Sequence, residues 1–123
     1  MNFIEKIIIE CTQQEDATGS DDIKVVKNDS EVFATARIKS GQTRTLTPKQ
    51  TTSAGGEDGF TVDVGDNIKI YEVDLFDKND LLVDYTIKAE DLTKGSILLS
   101  DTVETADYMF VIVLRASVVE TNP

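Results

Sequence analysis

Short runs of apolar residues, separated by polar turns, recur along the whole chain. Phe60, Val62 and Val64 alternate with polar residues, which is typical of a strand with one buried face. The segments 68–76 and 108–116 carry the densest apolar patterns, and the second is rich in β-branched residues, which favour strands. No segment shows a long helical period. The pattern predicts an all-β sandwich or barrel, and we expect an antiparallel β-sandwich of about eight strands.

Turn and loop residues separate these runs. Asn28-Asp29-Ser30 suits a tight hairpin, and Gly95 suits the end of a helical turn. The segment 40–59 is rich in Thr, Ser and Gly, which predicts either an open loop or a weak edge hairpin in which 44–47 pair. No linker or internal repeat divides the chain, so residues 1–123 are predicted to form one domain. The positions expected to be mostly buried are Ile7, Ile9, Val25, Phe33, Ile70, Val73, Phe110, Ile112 and Leu114.

Composition and charge narrow the possible functions. The chain has 123 residues, of which 40% are hydrophobic, enough for a core without disulfides or a structural metal. Its formal net charge is −11, which argues against nucleic acid as a partner, because phosphate backbones are bound by Lys and Arg. A bare anionic membrane is unfavourable for the same reason, unless a bound cation reverses the local field.

Location is predicted from the absence of targeting features. The N-terminal residues lack the long apolar stretch of a signal peptide, and no segment approaches the roughly 20 apolar residues of a transmembrane segment. The single cysteine, Cys11, cannot form an internal disulfide and leaves the redox compartment open. A soluble protein of the cytoplasm is the default expectation, and export without a leader stays open.

Several classes of enzyme are excluded by the residues that the chain lacks. It contains no histidine, so serine–histidine and cysteine–histidine nucleophile pairs and histidine-based zinc sites are impossible. A carboxylate pair could catalyse glycoside hydrolysis, but the chain has no tryptophan and only 7% aromatic residues, so it offers few rings on which a sugar could stack. We therefore expect a protein that binds and does not catalyse.

Two clusters of acidic residues predict a cation site. Glu72 and Asp74 are two residues apart on a predicted strand, so their carboxylates lie on one face. Calcium takes about six to eight oxygens in flexible geometry and would relieve the repulsion between such groups. Neither cluster has the glycine and glutamate positions of an EF-hand. Solvated acidic loops without metal are the alternative. The clusters comprise Glu15, Asp16, Asp21 and Asp22 in the first segment, and Glu72, Asp74, Asp77 and Asp80 in the second.

The first cluster resembles the first calcium loop of the C-two domains, the calcium- and phospholipid-binding modules of protein kinase C and synaptotagmin. Residues 16–25 read Asp-Ala-Thr-Gly-Ser-Asp-Asp-Ile-Lys-Val, whereas that loop has an Asp, then Gly-x-Ser-Asp-Pro-Tyr, and then a Val-Lys-Val strand. Gly19-Ser20-Asp21 is one residue shorter than the family spacing, and Asp22 and Ile23 replace Pro and Tyr. The segment is also similar to that of bacterial β-sandwich proteins with Cys-Thr before Gly-Ser-Asp-Asp.

The second cluster resembles the third calcium loop of the same family. Residues 72–74 match Asp-x-Asp, with Glu72 in place of the usual Asp, and residues 79–82 match Asn-Asp followed by an apolar pair. Val83 and Asp84 stand where the family often has Gly. The resemblance covers the two loop regions and the strand order between them, and indicates a divergent, bacterial form of the domain.

The resemblance implies a C-two-like sandwich of about eight antiparallel strands with calcium held by loops at one end. It implies a non-enzymatic calcium-binding module that also contacts a phospholipid membrane or a protein, with Leu75 and Phe76 at the contact or at the end of a core strand. The alternative is a metal-independent interaction or structural subunit. Oligomeric state stays open. The implied calcium ligands are Asp16, Asp21, Glu72, Asp74 and Asp80, and the alternative ligands are Glu15, Asp22 and Asp77.

Overall fold

Alternating apolar residues form strands throughout the described part of the chain. The computed structural model describes residues 2–13, 19–31, 36–47, 60–73, 80–101 and 107–116. Almost all of the regular structure in these ranges is strand, as the alternation predicted. The elements are β1 (Asn2–Gln13), β2 (Asp21–Lys27), β3 (Ser30–Glu31), β4 (Ala36–Ile38), β5 (Thr43–Leu46), β6 (Phe60–Val62), β7 (Asn67–Glu72), β8 (Asp80–Thr86), α1 (Ala89–Lys94), β9 (Ser96–Ser100) and β10 (Asp107–Ala116).

The strands form two antiparallel sheets, which confirms the predicted all-β sandwich. The first sheet has the order β5-β1-β10-β9, and β6 pairs with β1 beside β5. The second has the order β3-β2-β7-β8, and β4 pairs with β2 beside β3. One edge of each sheet is therefore built from two short strands. The strands occupy four positions in each sheet, in agreement with the prediction of about eight.

The inner faces of the two sheets share one hydrophobic core. Along β10 the buried side chains alternate as Tyr108, Phe110, Ile112 and Leu114. Of the positions predicted to be buried, those that the structure confirms are Ile7, Ile9, Val25, Ile70, Phe110, Ile112 and Leu114.

Val73 is the exception among the described positions, since it is only half-buried. Ile68, Ile70 and Glu72 take the inward positions of β7, so the alternation gives residue 73 an outward one. The prediction for Phe33 lies outside the described residues.

Turns and short elements complete the fold. β2 and β3 form a hairpin at Asn28 and Asp29, whose φ angles of 49° and 64° are those of a primed turn. Thr43–Leu46 pairs with β1 as an edge strand, so part of the predicted pairing segment 44–47 does pair, whereas the prediction of a hairpin within 40–59 extends outside the described residues. α1 ends at Gly95 in the left-handed conformation, as predicted. In the ranges that the structure describes, no helix has the length and apolar run that crossing a membrane requires.

Candidate functional site at the acidic end of the sandwich

Several connections between strands lie at the same end of the sandwich. Ile23 pairs with Glu72, Glu72 pairs with Asp80, and the Val73 amide donates to the Asp22 carbonyl at 2.8 Å. The start of β2, the end of β7 and the start of β8 therefore lie side by side. β9 ends there too, since the Asp101 amide donates to the Tyr108 carbonyl and the Tyr108 side chain reaches β2. We call this the acidic end, defined by Asp21, Asp22, Glu72, Asp80 and Asp101.

Three of the predicted ligands share the inner face of the second sheet. Glu72 and Asp80 are directly opposite in the ladder, and Asp21 lies on the same face as Ile23, the partner of Glu72. Asp21 is fully buried and Glu72 is 2% exposed. Like charges directly opposite on one face repel, so this arrangement favours a bound cation or compensating hydrogen bonds.

Other predicted ligands and contact residues lie outside the described residues. Among the residues that the structure does describe, no three carboxylate or thiol groups are placed to hold a metal ion together. The described carboxylates at this end are therefore not by themselves a metal site. The predicted residues outside the described ranges are Asp16, Asp74, Glu15, Asp77, Leu75 and Phe76.

The Asp21 carboxylate accepts a hydrogen bond from the Tyr108 hydroxyl in the interior. Tyr108 belongs to β10 and Asp21 to β2, so this bond joins the two sheets across the core. Both residues are fully buried. Burial, and then the hydrogen bond to the carboxylate, raise the pKa of Tyr108 far above its usual range, so the hydroxyl keeps its proton and remains a donor. Asp21 is thus an internal acceptor and not a solvated loop carboxylate.

Cys11 lies beside this pair and completes a small buried polar group. Burial raises the pKa of the Cys11 thiol, and a hydrogen bond with Tyr108 partly offsets that effect. A buried thiol with a raised pKa is a poor nucleophile. Cys11 is therefore a poor candidate for a catalytic nucleophile.

The sequence interpretation missed Tyr108 as a partner for the predicted ligand Asp21. The two residues are 87 positions apart, so no local pattern connects them. One indication was available, because Tyr108 occupies an inward position of β10 and a buried tyrosine hydroxyl requires a hydrogen-bond partner.

Asp101 carries an unusual carboxylate at the same end. Its Oδ1 accepts from the Tyr108 amide at 3.2 Å, whereas its Oδ2 is buried and has no hydrogen-bond partner in the described part of the chain. Burial raises the pKa of Asp101, the Tyr108 amide lowers it in part, and nearby Asp107 raises it again. An ionised carboxylate at this position therefore costs folding free energy.

We expect Asp101→Asn to stabilise the protein at neutral pH by about 1 kcal/mol, because an amide is cheaper to bury than an unpaired carboxylate oxygen. The pKa of Asp101 is higher in the folded than in the unfolded chain, so the penalty develops as pH rises through the folded pKa and vanishes in acid. Urea unfolding at about pH 7 and about pH 3 measures both points. Asp63→Asn, at an exposed position before the start of β7 and at the opposite end of the sandwich, is the control. A gain of equal size at both pH values would contradict this account.

Comparison with known proteins adds no functional residue to this site. The chain matches no protein-family model and no curated protein.

Proposed function

We propose that the protein is a non-enzymatic binding module, C-two-like in a divergent form, that holds calcium at the acidic end. One observation supports this function above others. The strand register brings Asp21, Glu72 and Asp80, from two acidic segments distant in sequence, to one face at one end of the second sheet. A site assembled from separate loops requires this convergence.

The described carboxylates have different roles in this proposal. Asp21 is already held by Tyr108, so we assign it to anchoring the base of the site. Glu72 and Asp80, opposite each other, supply the first calcium oxygens and gain most from a cation between them. The remaining ligands are proposed to come from Asp16 and Asp74, since calcium needs about six to eight oxygens.

Bound calcium would also change which partners the acidic end attracts. A net charge of −11 repels phosphate and acidic surfaces, and a divalent ion held at the loops reverses that field locally. A phospholipid head group or an acidic protein surface is the proposed partner, with Leu75 and Phe76 at the contact.

We expect calcium to stabilise the folded protein, because it binds the assembled carboxylates and not the dispersed ones. At free calcium ten times the dissociation constant, the gain is about 1.4 kcal/mol, measurable by urea or thermal unfolding against a chelator. Asp80→Asn should abolish most of this gain. Without calcium, Asp80→Asn should be at least as stable as the native chain, because it removes the charge opposite Glu72.

Asp63→Asn is the matched control for this experiment. Asp63 is exposed and precedes the start of β7, so it lies at the opposite end from Glu72, and its substitution makes the same change of charge. Calcium should stabilise this variant as much as the native chain. If millimolar calcium leaves the unfolding midpoint of the native chain unchanged, the metal proposal is wrong.

A second candidate function, a metal-independent interaction module, is favoured by the outer face of the first sheet. Leu98 is 64% exposed and lies opposite Val111, which in turn lies opposite Ile8. Met109 is 38% exposed on the same face. These side chains form an apolar strip across three strands, of the kind that protein contacts cover. Unchanged stability in calcium would favour this candidate.

A further inference from the structure

A cluster of positive side chains surrounds a pocket in this otherwise acidic chain. The pocket has a volume of about 400 Å³. It gathers three of the 12 basic residues of a protein with a net charge of −11. We call it the basic pocket, defined by its lining residues Gly19, Ser20, Arg37, Lys39, Gln42 and Arg44.

The basic pocket forms where the chain passes from one sheet to the other. Arg37 lies in β4 of the second sheet and Arg44 in β5 of the first, and residues 39–42 join them. This turn is fixed to β1, because the Gly41 amide donates to the Cys11 carbonyl at 2.7 Å and the Cys11 amide donates to the Gln42 carbonyl at 3.0 Å. The pocket therefore rests on a hydrogen-bonded frame.

The cations of the pocket are brought together by specific contacts. Arg44 Nε donates to the Arg37 carbonyl at 3.1 Å, which holds the Arg44 guanidinium beside β4. Arg37 lies 3.7 Å from Asp22 in an ion pair whose arginine side chain is 83% exposed, so the pair is weak. In the described ranges, neither Lys39 nor Arg44 has an ion pair. Among the described residues, the one carboxylate that is ion-paired with these three cations is that of Asp22.

The uncharged lining residues add further donors. Gln42 Oε1 accepts from the Lys39 amide at 3.0 Å, which leaves the Gln42 amide nitrogen as a donor. Ser20 contributes a hydroxyl to the same lining. Together with the three cations, these groups give the pocket the kind of donors that bind oxyanions.

Charge and volume indicate the class of ligand. The geometry of guanidinium groups matches the oxygens of phosphoryl groups. A phosphoryl group carries a charge of about −1.5 to −2 at neutral pH, so it balances more of the charge of three cations than a single carboxylate does. The volume of about 400 Å³ lies within the range of small-molecule sites and exceeds the need of inorganic phosphate alone.

We propose that the basic pocket binds the phosphoryl group of a small phosphorylated molecule. The pocket lies beside the acidic end, because Arg37 is paired with Asp22, but none of its lining residues is a proposed calcium ligand, and phosphoryl binding there does not require calcium. The rest of the surface repels anions, so the attraction is local, and added salt should weaken it.

Isothermal titration calorimetry with sodium pyrophosphate, in a chelator and at low salt, tests the proposal. We expect saturable binding that weakens by about tenfold or more in Arg37→Glu/Lys39→Glu, because about 1.4 kcal/mol corresponds to each factor of ten. Both side chains are exposed, and unchanged thermal unfolding of this variant confirms that it folds. Lys94→Glu, at the end of α1 far from the acidic end, makes the same type of change per residue and should bind normally.

A parallel binding experiment with lipid vesicles identifies the source of the phosphoryl group. Binding of pyrophosphate in solution assigns the pocket to soluble phosphate esters, whereas binding only to vesicles with phosphorylated head groups assigns it to lipid. Either result must be lost in Arg37→Glu/Lys39→Glu. The proposal is overturned if neither probe binds at millimolar concentration, or if Lys94→Glu weakens binding as much as the pocket variant does.

Discussion

Replacing Tyr108 by phenylalanine is expected to lower the free energy of unfolding by about 2 to 3 kcal/mol. The substitution keeps the ring but removes the hydroxyl that donates to Asp21. Asp21 would then remain in the core with one donor fewer, and hydrogen bonds to charged groups contribute about 1.5 to 3 kcal/mol. Urea unfolding at neutral pH measures the loss.

Tyr71→Phe is the matched control for that substitution. Tyr71 is half-buried at an outward position of β7, so losing its hydroxyl should change stability by less than about 0.5 kcal/mol. A loss of that small size for Tyr108→Phe would show that the hydroxyl does not stabilise the buried carboxylate. The double variant with Asp21→Asn tests the pairing directly, because its cost should fall short of the sum of the single costs.

The sign of the Asp21→Asn effect without calcium separates two roles for this residue. A carboxylate that holds a buried donor destabilises the fold when it is neutralised. An unoccupied metal ligand surrounded by like charges leaves the fold equally or more stable. The contact with Tyr108 leads us to expect destabilisation for Asp21→Asn, in contrast to the result expected for Asp80→Asn.

Replacing Phe110 by alanine is expected to cost about 3 to 5 kcal/mol, the largest loss among these substitutions. Phe110 is fully buried, pairs with Ile9 and Leu99 in the ladder, and stacks on Tyr108 with ring centroids 5.7 Å apart. Truncation leaves a cavity and also removes the surface that orients the Tyr108 ring. Denaturant unfolding with an unchanged m-value would show that the loss lies in stability alone.

The neighbouring substitution Met109→Ala controls for side-chain size on the same strand. Met109 points outward and is 38% exposed, so its truncation should cost less than about 1 kcal/mol. Equal costs at positions 109 and 110 would contradict the assignment of inner and outer faces along β10. The cost of Phe110→Ala should also be less than additive with Tyr108→Phe, because the two rings are in contact.

The fold class could be predicted from the sequence because alternation is a local property. Burial repeats every second residue along a strand, and the inward positions Phe110, Ile112 and Leu114 of β10 were identified in this way. Val73 was misplaced because its apolar side chain was assigned to the core, whereas the alternation of Ile68 and Ile70 places the charged Glu72 inward and residue 73 outward. At one edge of each sheet two short strands pair with one longer strand: β3 and β4 with β2, and β5 and β6 with β1. Polar sequences specify the register of such pairing only weakly, so this arrangement could not be predicted.

The candidate sites were predictable only in part because both depend on contacts between distant residues. The acidic clusters are contiguous in sequence, so the convergence of Glu72 and Asp80 could be anticipated from two predicted strands and a turn. The bond from Tyr108 to Asp21 and the basic pocket arise only when elements of different sheets meet. Arg37 and Arg44 belong to different sheets, and no spacing rule joins them.

The interrupted edges have a consequence for how the protein behaves in concentrated solution. A long, straight edge exposes a row of unpaired backbone groups onto which a strand of another molecule can add. Here β3 and β4 have two and three residues, and β5 and β6 have four and three. Over the described residues, these two edges therefore offer a neighbouring molecule only short ladders, which limits strand addition at these edges.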